Sequence, residues 1–297
     1  MTAGPPPVPH PAAALTALEL VDRKGTTTVS VCLPARDEAA TIGPIVEAIR
    51  REVVEAVPLV DELIVVDDHS TDATGAVAVD AGAKVVAAAE VLPELDDRRG
   101  KGEALWKSLA ASTGDVVVWL DADLVGVDGS WVSRLVAPLL VDPATALVKG
   151  WYRRPTGTDP HGGGRVTELV ARPLISALHP ELVGVRQPLG GEVAGRRSVL
   201  EAVAFAGGYG VDLGLLIDVV RGHGADAVAQ VDLGERRHRH HPLAALSVQA
   251  AEVLHVALRR AGLGAGDGAG AVLRRAGLPD TAIEVRDRPP LATLRAP

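Results

Sequence analysis

The stretch VVVWLDADLVG, Val116 to Gly126, decides how this chain is read. An apolar run ends in two carboxylates, Asp121 and Asp123, one residue apart. In an extended strand residues i and i+2 face the same way, so both carboxylates reach one point where the strand opens into a loop. Hard divalent cations take such oxygens and share their shell with substrate phosphates and water. The competing reading is a solvated acidic turn, and the pair by itself does not decide between them.

Outward from this stretch, β and α signals alternate from about Thr28 to Val148. TVSVCLPA, DELIVVDD, AKVVAAA, GDVVVWLDAD and TALVKGWYRR read as strands. Between them Ile42, Ile45, Val46, Ile49 and Val53 recur at helical spacing, and TDATGAVAVDAG, GKGEALWKSLAAS and SWVSRLVAPLL read as further helices. Strands that are apolar throughout and separated by helices imply a parallel sheet covered on both faces. In such sheets ligands bind beyond the carboxyl ends of the strands. Three of those ends are polar: PARDE (34–38), DDHSTD (67–72) and DAD (121–123). Gly100-Lys101-Gly102 opens a helix, where free backbone N–H groups and an ammonium favour an anion.

The second half is less regular. HGGGRVTELVARPLISAL reads as a glycine turn opening a helix, and residues 190–222 as a turn, a helix, a glycine turn and a helix. DAVAQVDLGERRHRHHPL reads as a strand leaving into a basic loop, and AALSVQAAEVLHVALRRAG as an amphipathic helix. The expected division is a flexible arm over 1–27, a nucleotide-binding half over 28–153, an acceptor-binding half over 154–263 and a flexible tail over 264–297.

Composition narrows the function classes. The chain has 297 residues, 47% hydrophobic, enough for a large core. A net charge of -8 argues against a polyanion binder, and Arg236, Arg237 and Arg239 lack the interleaved aromatics of a nucleic-acid site. No stretch approaches the roughly 18 apolar residues of a membrane span, and the N-terminus is not patterned as a signal peptide. Cys32 has no charged neighbour and reads as a packing thiol, consistent with a cytoplasmic protein. Trp106 and Trp119 read as core; Trp131, Trp151 and Tyr152 have a ligand-covering role as the weaker alternative to packing.

The motifs LPARDEAATIG, VVDDHSTDATG, RGKGEALWKSL and VVVWLDADL resemble the nucleotide-sugar glycosyltransferases of the GT-A fold. GGGRVTELVARPL, QPLGGEVAGRR, FAGGYGVDLGLLID and VDLGERRHRHHPL are similar, more specifically, to the actinobacterial glucosyl-3-phosphoglycerate synthase family. The resemblance spans about Val29 to Arg260. It implies an α/β GT-A fold, a Rossmann-like, mostly parallel sheet with a C-terminal acceptor-binding extension. It also implies a retaining transfer of glucose from UDP-glucose to the 2-hydroxyl of 3-phosphoglycerate, Mg²⁺ (or Mn²⁺) as cofactor, and a homodimer.

The same resemblance implies roles for individual residues. Pro34, Ala35, Arg36 and Glu38 would line the uridine pocket, with Asp67 near the uracil and Lys101 beside the nucleoside. Asp123 and His238 would hold the metal, and Asp121 would contact the ribose or the metal's surroundings. Leu189 and Tyr209 would flank the glucose and Asp212 would hold its hydroxyls. Gly163, Gly164, Arg165, Val166 and Thr167 would receive the acceptor, with His240 nearby; Asp123, Asp212 and Arg165 carry the catalytic expectation. This chain departs from the family pattern at His240 and His241, expected as Asn and Arg, and at Asp212, expected as Glu. Alternatives are mannosyl transfer to the same acceptor, transfer to a polyprenyl phosphate, and a non-catalytic nucleotide-sugar sensor.

Overall fold

The computed structural model describes residues 9–153, 164–235, 243–264 and 271–294. In chain order its elements are α1 (Ala17–Lys24), β1 (Val29–Ala35), α2 (Ile42–Ile49), β2 (Glu62–Asp67), α3 (Thr74–Asp80), β3 (Lys84–Ala87), α4 (Lys101–Ala111), β4 (Val116–Trp119), α5 (Gly129–Val141), β5 (Leu147–Arg153) and α6 (Arg172–Leu178). There follow β6 (Val193–Arg196), α7 (Arg197–Glu201), β7 (Phe205–Ala206), α8 (Val211–His223), β8 (Val228–Glu235), α9 (Leu243–Arg260), β9 (Ala271–Leu273), β10 (Thr281–Ile283), β11 (Asp287–Arg288) and α10 (Leu291–Leu294).

A seven-stranded sheet in the order β3-β2-β1-β4-β6-β5-β8 forms the centre. Alternate residues feed two cores, which is why the strands read as unbroken apolar runs. Val31 and Leu33 of β1 and Val118 of β4 pack with Ile45, Ile49, Leu135 and Val136 on one face. Cys32, Val117 and Trp119 pack with Trp106, Leu109, Leu216 and Val253 on the other. Every side chain of β4 is buried, at about 1.5–3 kcal/mol for each fully buried aliphatic, so the strand gives Asp121 and Asp123 a rigid base. Cys32 is fully buried, and burial pushes its thiol pKa up to about 12, as a packing role requires.

The sheet is mixed rather than wholly parallel. β6 lies antiparallel between β4 and β5, a strand the glycine-rich sequence around Gly195 conceals. Its reversal has a functional consequence. Since β1, β2, β4, β5 and β8 run the same way, only β6 brings its entry, Leu189–Glu192, to the edge where the others exit. β1 feeds β2 and β3 on one side and neighbours β4 on the other, so the loops after β1 and β4 diverge there and open a crevice. Residues on both sides of position 153 build this one sheet.

Two expectations about the ends are corrected. The expected N-terminal arm contains α1, closed by a reciprocal Thr16–Glu19 capping box and pinned by the fully buried Leu20. The prolines of the first residues mask that short helix. The expected tail over 264–297 includes the hairpin β9–β10, and β11 pairs with β7. Arg288, 4% exposed, donates to both oxygens of Glu103 at 2.7 Å and to Asp96 at 2.6 Å. The indole N–H of Trp106 donates to the Pro289 carbonyl at 2.9 Å. Partners more than 180 residues apart leave no local signal in a Gly/Ala/Pro-rich sequence.

Candidate active site

The crevice holds a cavity of about 460 Å³. Pro34, Ala35, Arg36 and Glu38 line it from the end of β1, Lys101 from α4, and Asp121 and Asp123 from beyond β4. Gly164, Arg165, Val166 and Thr167 line it from a helix start, Leu189 from the approach to β6, and Tyr209 and Asp212 from the start of α8. Fourteen expected site residues, separated by up to 178 positions, therefore face one space.

The loop after β1 is tied to the loop after β2. Asp37 accepts from the Thr71 N–H at 2.7 Å, the Glu38 N–H donates to the Thr74 hydroxyl at 2.8 Å, and the Ala39 N–H to Asp72 at 3.1 Å. The Thr71 N–H, and then the Thr71 hydroxyl, hold the Asp37 carboxyl below its usual range. Asp67 belongs to this framework rather than to the cavity lining. Its carboxylate accepts the Ser70 N–H at 2.8 Å and closes the turn. Asp68 lines the cavity in its place, accepting from the Gly100 N–H at 2.8 Å and lying 3.0 Å from the His69 ring. Adjacent strand-end residues point oppositely, so the sequence left open which aspartate faces inward.

Lys101 is the hub. Its Nζ lies 3.0 Å from Asp121 and 3.0 Å from Asp212. Burial by itself would favour the neutral amine, but Asp121 and Asp212 outweigh it and hold the ammonium charged, its pKa raised. Burial raises the pKa of Asp212, against the pull of Lys101 and then Lys149. Despite its shorter side chain, Asp212 reaches the cavity, in the first turn of α8. Glycine is required at two close approaches here. A Cβ on Gly102 would sit 2.0 Å from the Ala206 carbonyl oxygen, and one on Gly191 would sit 2.1 Å from Asp121 Oδ1 and 2.5 Å from Lys101 Nζ.

Gly164 takes a left-handed φ of 82°, as a glycine turn into a helix requires, and Arg165 begins that helix. Exposed N–H groups and a guanidinium at one helix start suit an anion. Gly163, His238, His240 and His241 lie outside the described residues. Among the described residues no three His, Cys, Asp or Glu side chains group as a metal-ligand set. Trp131 and Tyr152 stack on each other in the core, and Trp151 is also buried; none lines the cavity.

Two acidic lining residues were not anticipated: Glu252 and Glu284. Glu252 on α9 is 7% exposed and accepts the Tyr209 N–H at 2.7 Å; burial pushes its pKa up to about 7. Its available signal was a lone carboxylate on an apolar helix face beside Val253 and Val256. Glu284 comes from the segment read as tail. Arg99 also lines the space, beside Gly100.

Comparison with known proteins agrees with this geometry. The family model for glycosyl transferase family 2 matches residues 30–203. A glucosyl-3-phosphoglycerate synthase of Mycolicibacterium smegmatis is 47% identical over 94% of this chain and 94% of its own length. One from Mycolicibacterium paratuberculosis is 51% identical, over 84% of this chain and 77% of its own. The chain belongs to the glucosyl-3-phosphoglycerate synthase family. The solved synthase of Mycobacterium tuberculosis in complex with Mn²⁺, UDP-glucose and phosphoglyceric acid superposes with a TM-score of 0.86 at 45% identity, covering 95% of this chain and 96% of that one. Its complex with phosphoglyceric acid gives a TM-score of 0.87 at 46% identity, covering 95% of this chain and 96% of that one. The α/β GT-A fold expected for the family is the fold observed, and no helix among the described residues is long and apolar enough to cross a membrane.

Proposed function

We propose that this protein transfers glucose from UDP-glucose to the 2-hydroxyl of 3-phosphoglycerate, releasing UDP. The observation that carries this reading is one continuous cavity joining the Lys101–Asp121–Asp212 cluster and Asp123 to the Gly164–Thr167 helix start. A donor diphosphate and a trianionic acceptor need a cation-assisted end and an anion-binding end, and this space has both. The Mycobacterium tuberculosis synthase, 45% identical, has been solved with Mn²⁺, UDP-glucose and phosphoglyceric acid.

Pro34, Ala35, Arg36 and Glu38 would hold the uridine, with Asp68 taking the place expected for Asp67. Leu189, Tyr209 and Asp212 would bound the glucose, Lys101 orienting Asp212. Arg165 and Thr167, with the amides of Gly163 and Gly164, would hold the acceptor's phosphate and carboxylate, with His240 nearby. Asp123, which lines the cavity, and His238 would hold a divalent cation, a hard carboxylate being a suitable ligand for one that also binds a diphosphate. Such a cation, Mg²⁺ or Mn²⁺, supplies Lewis-acid stabilisation of the leaving diphosphate. We read the transfer as retaining, by front-side attack in which the leaving phosphate oxygen takes the acceptor's proton. A glycosyl-enzyme trapped on Asp212 or another carboxylate refutes that part. We also read the protein as a cytoplasmic homodimer, from its lone buried thiol and its family.

The test is UDP release from UDP-glucose and Mg²⁺, with and without 3-phosphoglycerate. Release that requires the acceptor and stops with EDTA is expected. UDP-glucose binding without acceptor-dependent release would refute the acceptor assignment.

A further inference from the structure

One buried charge next to the cavity has no role in the reading above. Lys149, on β5, is 2% exposed and does not line the cavity. It lies opposite Val193 of β6, and its ammonium donates to the Gly190 carbonyl at 2.6 Å. That carbonyl belongs to a tight turn closed by the Gly190 N–H donating to the Gln187 carbonyl at 3.1 Å. The turn carries Leu189 into the cavity, and Gly191 lies directly against Asp121 and Lys101.

The electrostatic surroundings fit a charge kept in place for this purpose. Asp212, Glu192 and Asp121 attract the Lys149 ammonium and Lys101 repels it. Burial, the largest influence, lowers its pKa to about 8, so the ammonium stays mostly charged at neutral pH. An uncompensated buried ammonium is costly, and here carboxylates and a carbonyl acceptor offset the cost. A lysine in an otherwise apolar strand is legible in LVKGWY, although its partner is not.

We propose that Lys149 is a positioning residue for glucosyl transfer: it holds the Gly190 carbonyl and so seats the Leu189–Gly191 turn against Asp121 and Lys101, on the sugar-facing wall of the cavity. The proposal rests on the reading of this cavity as the UDP-glucose site. Lys149 acts through the turn and touches no reacting atom. Misplacing a wall that orients the sugar lowers turnover, by about 10- to 100-fold for displacements near 1 Å. The uridine end, built on the β1 and β2 loops, is left intact.

The experiment compares wild type with Lys149→Met and Lys149→Arg. Active sites are counted by UDP binding in calorimetry, and kcat is expressed per UDP-binding site. Lys149→Met is expected to bind UDP within about twofold of wild type while kcat per site falls at least about tenfold. Lys149→Arg, which keeps the donor and the charge, recovers part of that loss. Gly191→Ala is the second route, because it displaces the same turn without removing a buried charge. It is expected to lower kcat per UDP-binding site as well, and it carries the test if Lys149→Met does not fold. Wild-type kcat per UDP-binding site in Lys149→Met, or in Gly191→Ala if only that variant folds, overturns the proposal. Loss of turnover in Lys149→Arg equal to that in Lys149→Met also overturns it. Failure of the wild-type protein to bind UDP overturns the donor-site reading instead.

Discussion

Glu252→Gln tests the electrostatics of the cavity wall directly. The Glu252 carboxyl is buried on α9, accepts the Tyr209 N–H and faces Glu284. Burial, opposed by the Tyr209 N–H and reinforced by the Glu284 charge, raises its pKa from 4.5 to about 7. Below pH 4.5 the proton is bound in folded and unfolded chains alike. Between pH 4.5 and 7 the folded protein retains a proton that the unfolded chain has released, so stability falls as pH rises through this window. A shift of about 2.5 units at about 1.36 kcal/mol each makes the loss about 3 kcal/mol, complete above pH 7. Glutamine has the same shape, keeps an oxygen for the Tyr209 N–H and never ionises. Urea unfolding of both proteins, followed by tryptophan fluorescence from pH 4.5 to 8.5, reads the Glu252 contribution because titrations of groups that do not face Glu252 cancel in the difference. The variant is expected to gain about 3 kcal/mol on wild type across that range. A difference constant to within about 0.5 kcal/mol would refute the reasoning.

Arg165→Ala should raise the KM for 3-phosphoglycerate at least about tenfold and leave that for UDP-glucose within about twofold, by steady-state kinetics; the reverse pattern would mean that the helix start serves the donor. Arg288→Met removes both guanidinium hydrogen bonds to the buried Glu103 and leaves it only the Lys107 ammonium, 3.5 Å away. It should cost about 3–5 kcal/mol in urea unfolding, and a cost below about 1 kcal/mol would show that the C-terminal segment adds little.

Much of the cavity was legible in the sequence, for a physical reason. Apolar strands that end in PARDE, DDHSTD and DAD require a covered sheet, and a covered sheet gathers such ends along one edge. The helix start at Arg165 and the aspartate at 212 were legible through family resemblance and through glycine turns that demand particular backbone geometry. Local sequence did not decide which of two adjacent aspartates turns inward, because that depends on which backbone N–H groups lie within reach. Asp67 closes its own turn, and Asp68 finds Gly100 from 32 positions away. It also did not disclose β6, whose antiparallel insertion brings Gly190 and Gly191 to Lys149, Lys101 and Asp121. The sequence by itself determined the sheet, its polar edge and the chemical character of the site. Only the tertiary structure decided the reversed strand, the inward aspartate and the buried ion pairs of the C-terminal segment, since each depends on partners distant in the chain and brought together by packing.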